Sequence, residues 1–447
     1  MIKKWCISAF AVLTLAIAVR AQRGYGGPAR MWWDGGLDTI FAREDEFENA
    51  TGFLAVLNVT PVIRTKGHPF FEPLGTNGRA CVTCHQPANS MSVAAATVRE
   101  RWTATEGKDP LFAAVDGSNC PDLPQADAKS HSLLLDRGLF RIPISWPPKN
   151  VEPDFQIEVV RDPTGCNLSA KYGFKSTNTI SVFRRPRITA NLRYVVSGEA
   201  GQVFMADGRE PTLRSQAISA ILGHQEASAQ PADKQLLQIV DFETQIYAAQ
   251  VADKRGGLLT DPDSPLLLGP ENLLEGRFGS LDGGAATAEK VFERWRDSES
   301  VPREFIQRDF RDAAGRGASI FYGKSFGAPG GVMRTCASCH ASGTERWINI
   351  GSTEQEEDKA LPLFKITCST GRVVYVNDPG RALISGKCAD AGAIVLQQFR
   401  GLSARAPYFA NGSAATLSDV VEFYDKRFKI GLSSQEKNDL ALFLSLL

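Results

Sequence analysis

Two short stretches, CVTCH at 81–85 and CASCH at 336–340, carry the chemistry of this chain. Two thiols separated by two residues can each close a thioether onto a haem vinyl group, while the histidine that follows turns its imidazole onto the iron. Cys81, Cys84, Cys336 and Cys339 therefore read as attachment points for two covalent c-type haems, with His85 and His340 as proximal ligands. A zinc or thioredoxin-type pair would not require the trailing histidine both times. The sixth position of each iron decides the function: two strong axial ligands suit an electron carrier, whereas an open position suits peroxide or dioxygen chemistry. Beyond His340 the chain contains no Met and no His, and Met333 lies three residues before Cys336, on the wrong stretch to cross to the distal face. Tyr375, Tyr408 and Tyr424 are the downstream oxygen donors. Elsewhere the ligand supply is His68, His131 and His224, with Met31, Met91 and Met205.

The elements that must hold these residues read as mainly α, with small β pieces. Apolar residues recur at three- and four-residue spacings over 211–227, 231–252, 303–323, 416–428 and 433–447. The last two open on Thr416 and Ser433, each followed three residues later by Asp or Glu, the pattern of a capping box. Strand-like alternation is confined to FQIEVVRD and GRVVYVND. With one motif in each half, two tandem class I cytochrome c-like haem domains are expected, 22–275 and 276–447. The Gly-, Pro- and Leu-rich stretch 255–284 serves as their connection.

The 447 residues are 43% hydrophobic, enough to bury a core in each domain, and 50 basic residues balance 50 acidic ones. No broad field recommends a nucleic acid or an anionic membrane as partner. Residues 1–21 have a basic start at Lys3 and Lys4, an apolar run to Val19 and a small-residue end at Ala21, the features of a secretory signal. No other stretch approaches a membrane span. A periplasmic location is expected. Of the nine cysteines, Cys6 falls in the signal and four in the haem motifs. Cys120, Cys166, Cys368 and Cys388 remain, and the pairs Cys120–Cys166 and Cys368–Cys388 would each close a local loop.

Three further segments, RRPRITANL at 184–192, DGREPTLRSQAISAILGHQEA at 207–227 and FRGLSARAPYFANGSAATLSDVVEFYDKRF at 399–428, stand in this order with the two haem motifs. Together they resemble the bacterial di-haem cytochrome c peroxidases and their MauG-type relatives. That resemblance implies an oxidoreductase acting on hydrogen peroxide at the N-terminal haem, with Glu226 as distal catalytic carboxylate. His224 stays open between sharing that acid–base work, ligating the iron and packing structurally. The C-terminal haem would exchange electrons with a small redox protein, and a homodimer is compatible with the family. A distal ligand of that haem falls fourteen residues after Ala410, on Tyr424. The family's calcium ion would map to the Asn191 side chain and the backbone of Arg405 and Pro407.

There are departures from the family pattern. Phe183 stands where many members have a displaceable distal His, and Ala206 where they have an inter-haem Trp, leaving Trp102, Trp146 or Trp347 to be considered. The segment 86–182 is a long insertion, similar to that of the di-haem rubber oxygenases. Oxygenation of an organic substrate with dioxygen, and plain electron transfer, are the alternative functions.

Overall fold

The computed structural model describes residues 32–59, 62–196, 203–276, 290, 292–293, 295, 305–328, 330–340, 347–348 and 358–447. The expected signal at 1–21 and Met31 lie outside these residues.

A four-stranded antiparallel sheet runs Glu44–Glu48, Gly52–Asn58, Ile246–Asp253, Gly257–Leu258 in spatial order. Its third strand corrects the helix expected over 231–252, which stops at Gln245. Ile246 turns extended, at φ −96° and ψ 129°, and Ile246, Tyr247 and Val251 supply β-branched and aromatic side chains. Pairing with Gly52–Asn58, Leu57 opposite Tyr247, satisfies the backbone that the helix would otherwise have served. A Cβ on Gly52 would come within 2.0 Å of the Ala252 carbonyl oxygen, so only glycine admits this approach.

Against this sheet lies a core of Phe41, Phe70, Phe71 and Phe242, whose rings meet edge-on or tilted at 4.5–5.7 Å. Such pairs add about 0.5–1.5 kcal/mol each beyond their area burial. Val82, at the centre of the first haem motif, is buried in the same core, and its N–H donates to Phe70. The motif is thereby anchored in this core.

The C-terminal core joins the helices Phe305–Gly323 and Ser434–Ser445, which cross where a Cβ on Gly317 would meet the Asp439 carbonyl at 2.0 Å. Leu259, Leu267 and Leu268, in the stretch read as a connection, are buried in this core. Both expected capping boxes form. Thr416 Oγ1 accepts from Asp419 N–H at 3.1 Å and Ser433 Oγ from Glu436 N–H at 3.3 Å.

A third core uses both halves of the chain. Phe155–Arg161 pairs with Leu363–Cys368, which pairs with Val373–Val376, and the two FQIEVVRD and GRVVYVND expectations are thus strands of one sheet. Trp146, Ile180 and Val182 pack beneath it with Phe364, Ile366 and Val376. The disulfides Cys120–Cys166 and Cys368–Cys388 form, with Cα separations of 5.1 and 5.7 Å. With these sheets and the Phe140–Ser145 and Thr179–Arg184 hairpin, the chain is mixed α/β, which corrects the mainly α expectation. Local periodicity under-counted strands because their partners lie as far as 213 residues away, Cys368 opposite Phe155.

Candidate functional site

At the first haem motif, Ala80 is extended and its N–H donates to Thr83 Oγ1 at 3.0 Å, opening the single turn Cys81–Cys84. His85 N–H returns to Cys81 O at 3.1 Å, so the chain leaves the turn with the imidazole fixed in direction. His85 Nδ1 meets the Met91 carbonyl at 3.0 Å. A carbonyl accepts only, so Nδ1 carries the proton and Nε2 is left bare. Burial pushes His85 down to about 4, which keeps it neutral and able to ligate a metal.

His85 and Cys84 border a cavity of about 1020 Å³, counting its mouth to solvent. Ile188, Leu192, Phe140 and Ile142 give it apolar walls, and Arg184, Arg185, Arg187 and Arg209 stand on its lining. A flat apolar ring bearing two carboxylates suits such a lining, and the bare Nε2 of His85 suits its iron. The residues fit a c-type haem.

His224 lines the same cavity. It ends the helix Leu213–His224, which is capped by Thr212 Oγ1 accepting from Ser215 N–H at 3.0 Å. Its Nδ1 donates to Asp116 Oδ2, leaving Nε2 as the nitrogen available for chemistry. Asp116 is buried, 2% exposed, and its other oxygen pairs with the guanidinium of Arg79, which is 1% exposed. Burial alone would raise the Asp116 carboxyl, but the Arg79 charge and the His224 bond outweigh it and hold it below the usual carboxylate range. Arg79 is itself anchored by the carbonyls of Pro110 and Leu111, each at 2.7 Å. Neither Arg79 nor Asp116 was identified from the sequence. Asp116 sits in an ordinary DGS turn far from any motif, so no spacing announces it.

Glu226 is exposed and does not belong to the cavity lining. It adopts φ +53°, and its Oε2 accepts from Asn77 Nδ2 at 3.1 Å. Phe183 packs with Leu133, Leu139 and Leu361, away from the cavity, while Ala206 lines it. Trp102 packs on Phe112 and His131, and Trp146 on Phe155. Trp347 falls in the two-residue strand Trp347–Ile348. Asp116, Phe140 and Ile142 all come from the insertion 86–182, which therefore forms part of the cavity wall.

At the second motif, the helix Cys336–His340 stacks the His340 ring on Phe399, centroids 4.3 Å apart and planes inclined at 28°. Tyr424, from the helix Leu417–Phe428, meets His340 edge-on with 6.0 Å between ring centroids. Burial pushes His340 down to about 4, and burial with the Cys336 and Cys339 thiols pushes the Tyr424 phenol up. His340 Nδ1 is buried with no hydrogen-bond partner among the described residues. The other downstream tyrosines are engaged elsewhere. Tyr408 Oη donates to Leu402 O at 3.0 Å, and Tyr375 is 51% exposed on the strand Val373–Val376. The half-buried imidazole of His340 and phenol of Tyr424 thus meet edge-on, a nitrogen donor beside an oxygen donor, the pair of donor types that an iron accepts.

The expected calcium residue, Asn191, is fully buried, and its carboxamide exchanges hydrogen bonds of 3.0 Å with the Ala248 backbone in both directions. Among the described residues no group of three or more His, Cys, Asp or Glu side chains could hold a metal ion.

No protein-family model matches the chain. Two curated cytochrome-c peroxidases of Denitromonas iodatirespirans are similar to it. IdrP1 is 27% identical over 182 residues, which is 35% of this chain and 44% of the relative. IdrP2 is 32% identical over 149 residues, 29% of this chain and 38% of the relative. The chain thus spans less than half the length of the curated relatives it matches. Among solved structures, a MauG-like protein associated with microbial copper homeostasis aligns at 17% identity and a TM-score of 0.29, covering 60% of this chain and 76% of its own. So low a score sets no constraint on the fold.

Proposed function

We propose that this chain, a relative of the cytochrome-c peroxidases over about a third of its length, is an exported di-haem c-type oxidoreductase that reduces hydrogen peroxide at its N-terminal haem site. The observation that carries the reading is His224, bonded to the buried Asp116 and lining the same cavity as His85. Haem attached at Cys81 and Cys84, with His85 as proximal ligand, would supply the redox-active iron. His224 Nε2 would take the proton from one oxygen of hydrogen peroxide and return it to the other, which departs as water as the O–O bond breaks, the two electrons this needs coming from the haem and, in turn, its reduced donor. Asp116 holds the required tautomer and stabilises the imidazolium formed in between, as Arg79 keeps that carboxylate ionised. The apolar walls Phe140 and Ile142 limit water and strengthen each of these bonds.

At the second site Cys336, Cys339 and His340 would attach the other haem, with Tyr424 as distal ligand. A phenolate is a hard anionic donor that favours higher oxidation states, so this centre stores oxidising equivalents and exchanges electrons with a small redox partner. Among the described residues no helix is long and apolar enough to cross a membrane. A periplasmic location rests on the signal features of 1–21.

Steady-state consumption of hydrogen peroxide with a small reduced donor tests the reading. Protein carrying covalent haem that neither turns over nor changes its spectrum on peroxide addition would overturn it. A second reading has a specific observation behind it: a ligating histidine also donates its second nitrogen to a carboxylate. If His224 is a sixth ligand, the ferric first haem is low-spin, carbon monoxide does not bind its ferrous form, and the protein is an electron carrier.

A further inference from the structure

Four arginines line the first cavity, and their charges are not equally balanced. Arg184 pairs with Asp378 through two bonds of 2.6 and 2.9 Å and with Asp207 at 2.5 Å, and Arg209 pairs with Asp207 at 2.7 Å. Arg187 donates to the carbonyls of Val395 and Leu396. Arg185 differs from these. It is 7% exposed, its Nη2 donates to the Val93 carbonyl at 2.7 Å, and its Nε has no partner among the described residues. No carboxylate among the described residues pairs with it. The charge that acts on it most is Arg405, another buried cation, whose guanidinium bonds, among the described residues, to the Gln397 amide oxygen and the carbonyls of Gln398 and Arg400. A buried charge without a counter-ion is strongly destabilising. Burial and Arg405 together push Arg185 down to about 9.

We propose that Arg185 is the carboxylate-anchoring residue of the first cavity, its guanidinium pairing with a propionate of the haem attached at Cys81 and Cys84. The inference rests on the haem reading of that cavity but not on the peroxide reading. A carboxylate matches the planar fork of a guanidinium and supplies the missing negative charge. The Arg185 backbone N–H donates to Ala410 O at 3.0 Å, and Ala410 follows Phe409, whose ring packs on Tyr424 at 6.1 Å.

The test uses full-length holoprotein, with two covalent haems confirmed by mass, as wild type, R185Q and R185K. Potentiometric titration at fixed pH and ionic strength reads the first haem. The expected result is a lower midpoint potential in R185Q, because losing a cation beside the ring favours the ferric state, and a largely restored potential in R185K. Resonance Raman propionate bending bands of R185K are expected to shift, since an ammonium replaces the two-pronged contact. This second measurement decides the matter if R185Q does not accumulate. Wild-type potential in R185Q, or unshifted propionate bands in R185K, would overturn the proposal. Titration with added acetate separates the two sources of carboxylate. A wild-type potential that moves with acetate, and no longer does so in either variant, would show a free anion at Arg185 and would also overturn it. Absence of peroxide turnover in the wild-type protein, with the R185Q potential shift intact, would count against the peroxide reading alone.

Discussion

At the scale of single residues, the first site is a division of labour between a motif and a pair. Cys81, Cys84 and His85 are legible in the sequence because attachment chemistry needs them adjacent. The His224–Asp116 bond spans 108 residues, and nothing local marks its acidic partner. Asp116→Asn should keep the haem but lose the tautomer control and the negative charge, lowering kcat/KM for peroxide by about 10²–10⁴-fold. Glu226→Ala, at an exposed side chain outside the cavity lining, should change it less than threefold. Reversal of that ranking in steady-state assays would return the acid–base role to Glu226. At the second site, Tyr424→Phe should alter the electron paramagnetic resonance signal of one ferric haem and leave the other as it is. Two unchanged signals would remove Tyr424 as a ligand.

At the scale of elements, helices that carry their own caps were legible from their first residue, whereas the helix that runs into a sheet strand was legible in its existence but not in its end. Thr416 and Ser433 announce their helices three residues ahead, and both boxes form. The helix Asp233–Gln245 ends without a capping signal, because what stops it is the Gly52–Asn58 strand. The cap at Thr416 also sets the angle of the helix that presents Tyr424 to His340. Thr416→Ala should cost about 1 kcal/mol of stability, measurable by denaturant titration, and should broaden the second haem's signal as the helix frays. Glu243, in the Asp233–Gln245 helix, is 3% exposed, and burial pushes its carboxyl up to about 8. A carboxyl raised in the folded state contributes stability that is fully present below its unfolded value near 4.5 and is lost as pH rises through 8. Thermal melts should therefore fall between pH 5 and pH 8, and Glu243→Gln should flatten that fall. An equally steep decline in the variant would place its origin elsewhere.

At the scale of the whole molecule, the count of haem motifs suggested two halves side by side, and the packing shows them sharing a core. Leu363–Cys368 is the middle strand between Phe155–Arg161 and Val373–Val376. Arg137 and Asp358 form an ion pair across the same division, as do Arg184 and Asp378. A motif count reports the number of cofactors and carries no information on how distant strands pair. Calorimetry of the holoprotein should accordingly show one cooperative transition rather than two. The shared sheet has a further consequence for any attempt to work with one half. A chain ending near residue 275 would present Phe155–Arg161 without its neighbour, with Phe155, Ile157 and Val159 uncovered along a free row of backbone donors and acceptors. Such an edge recruits other chains. Each half thus acts as the other's guard against aggregation.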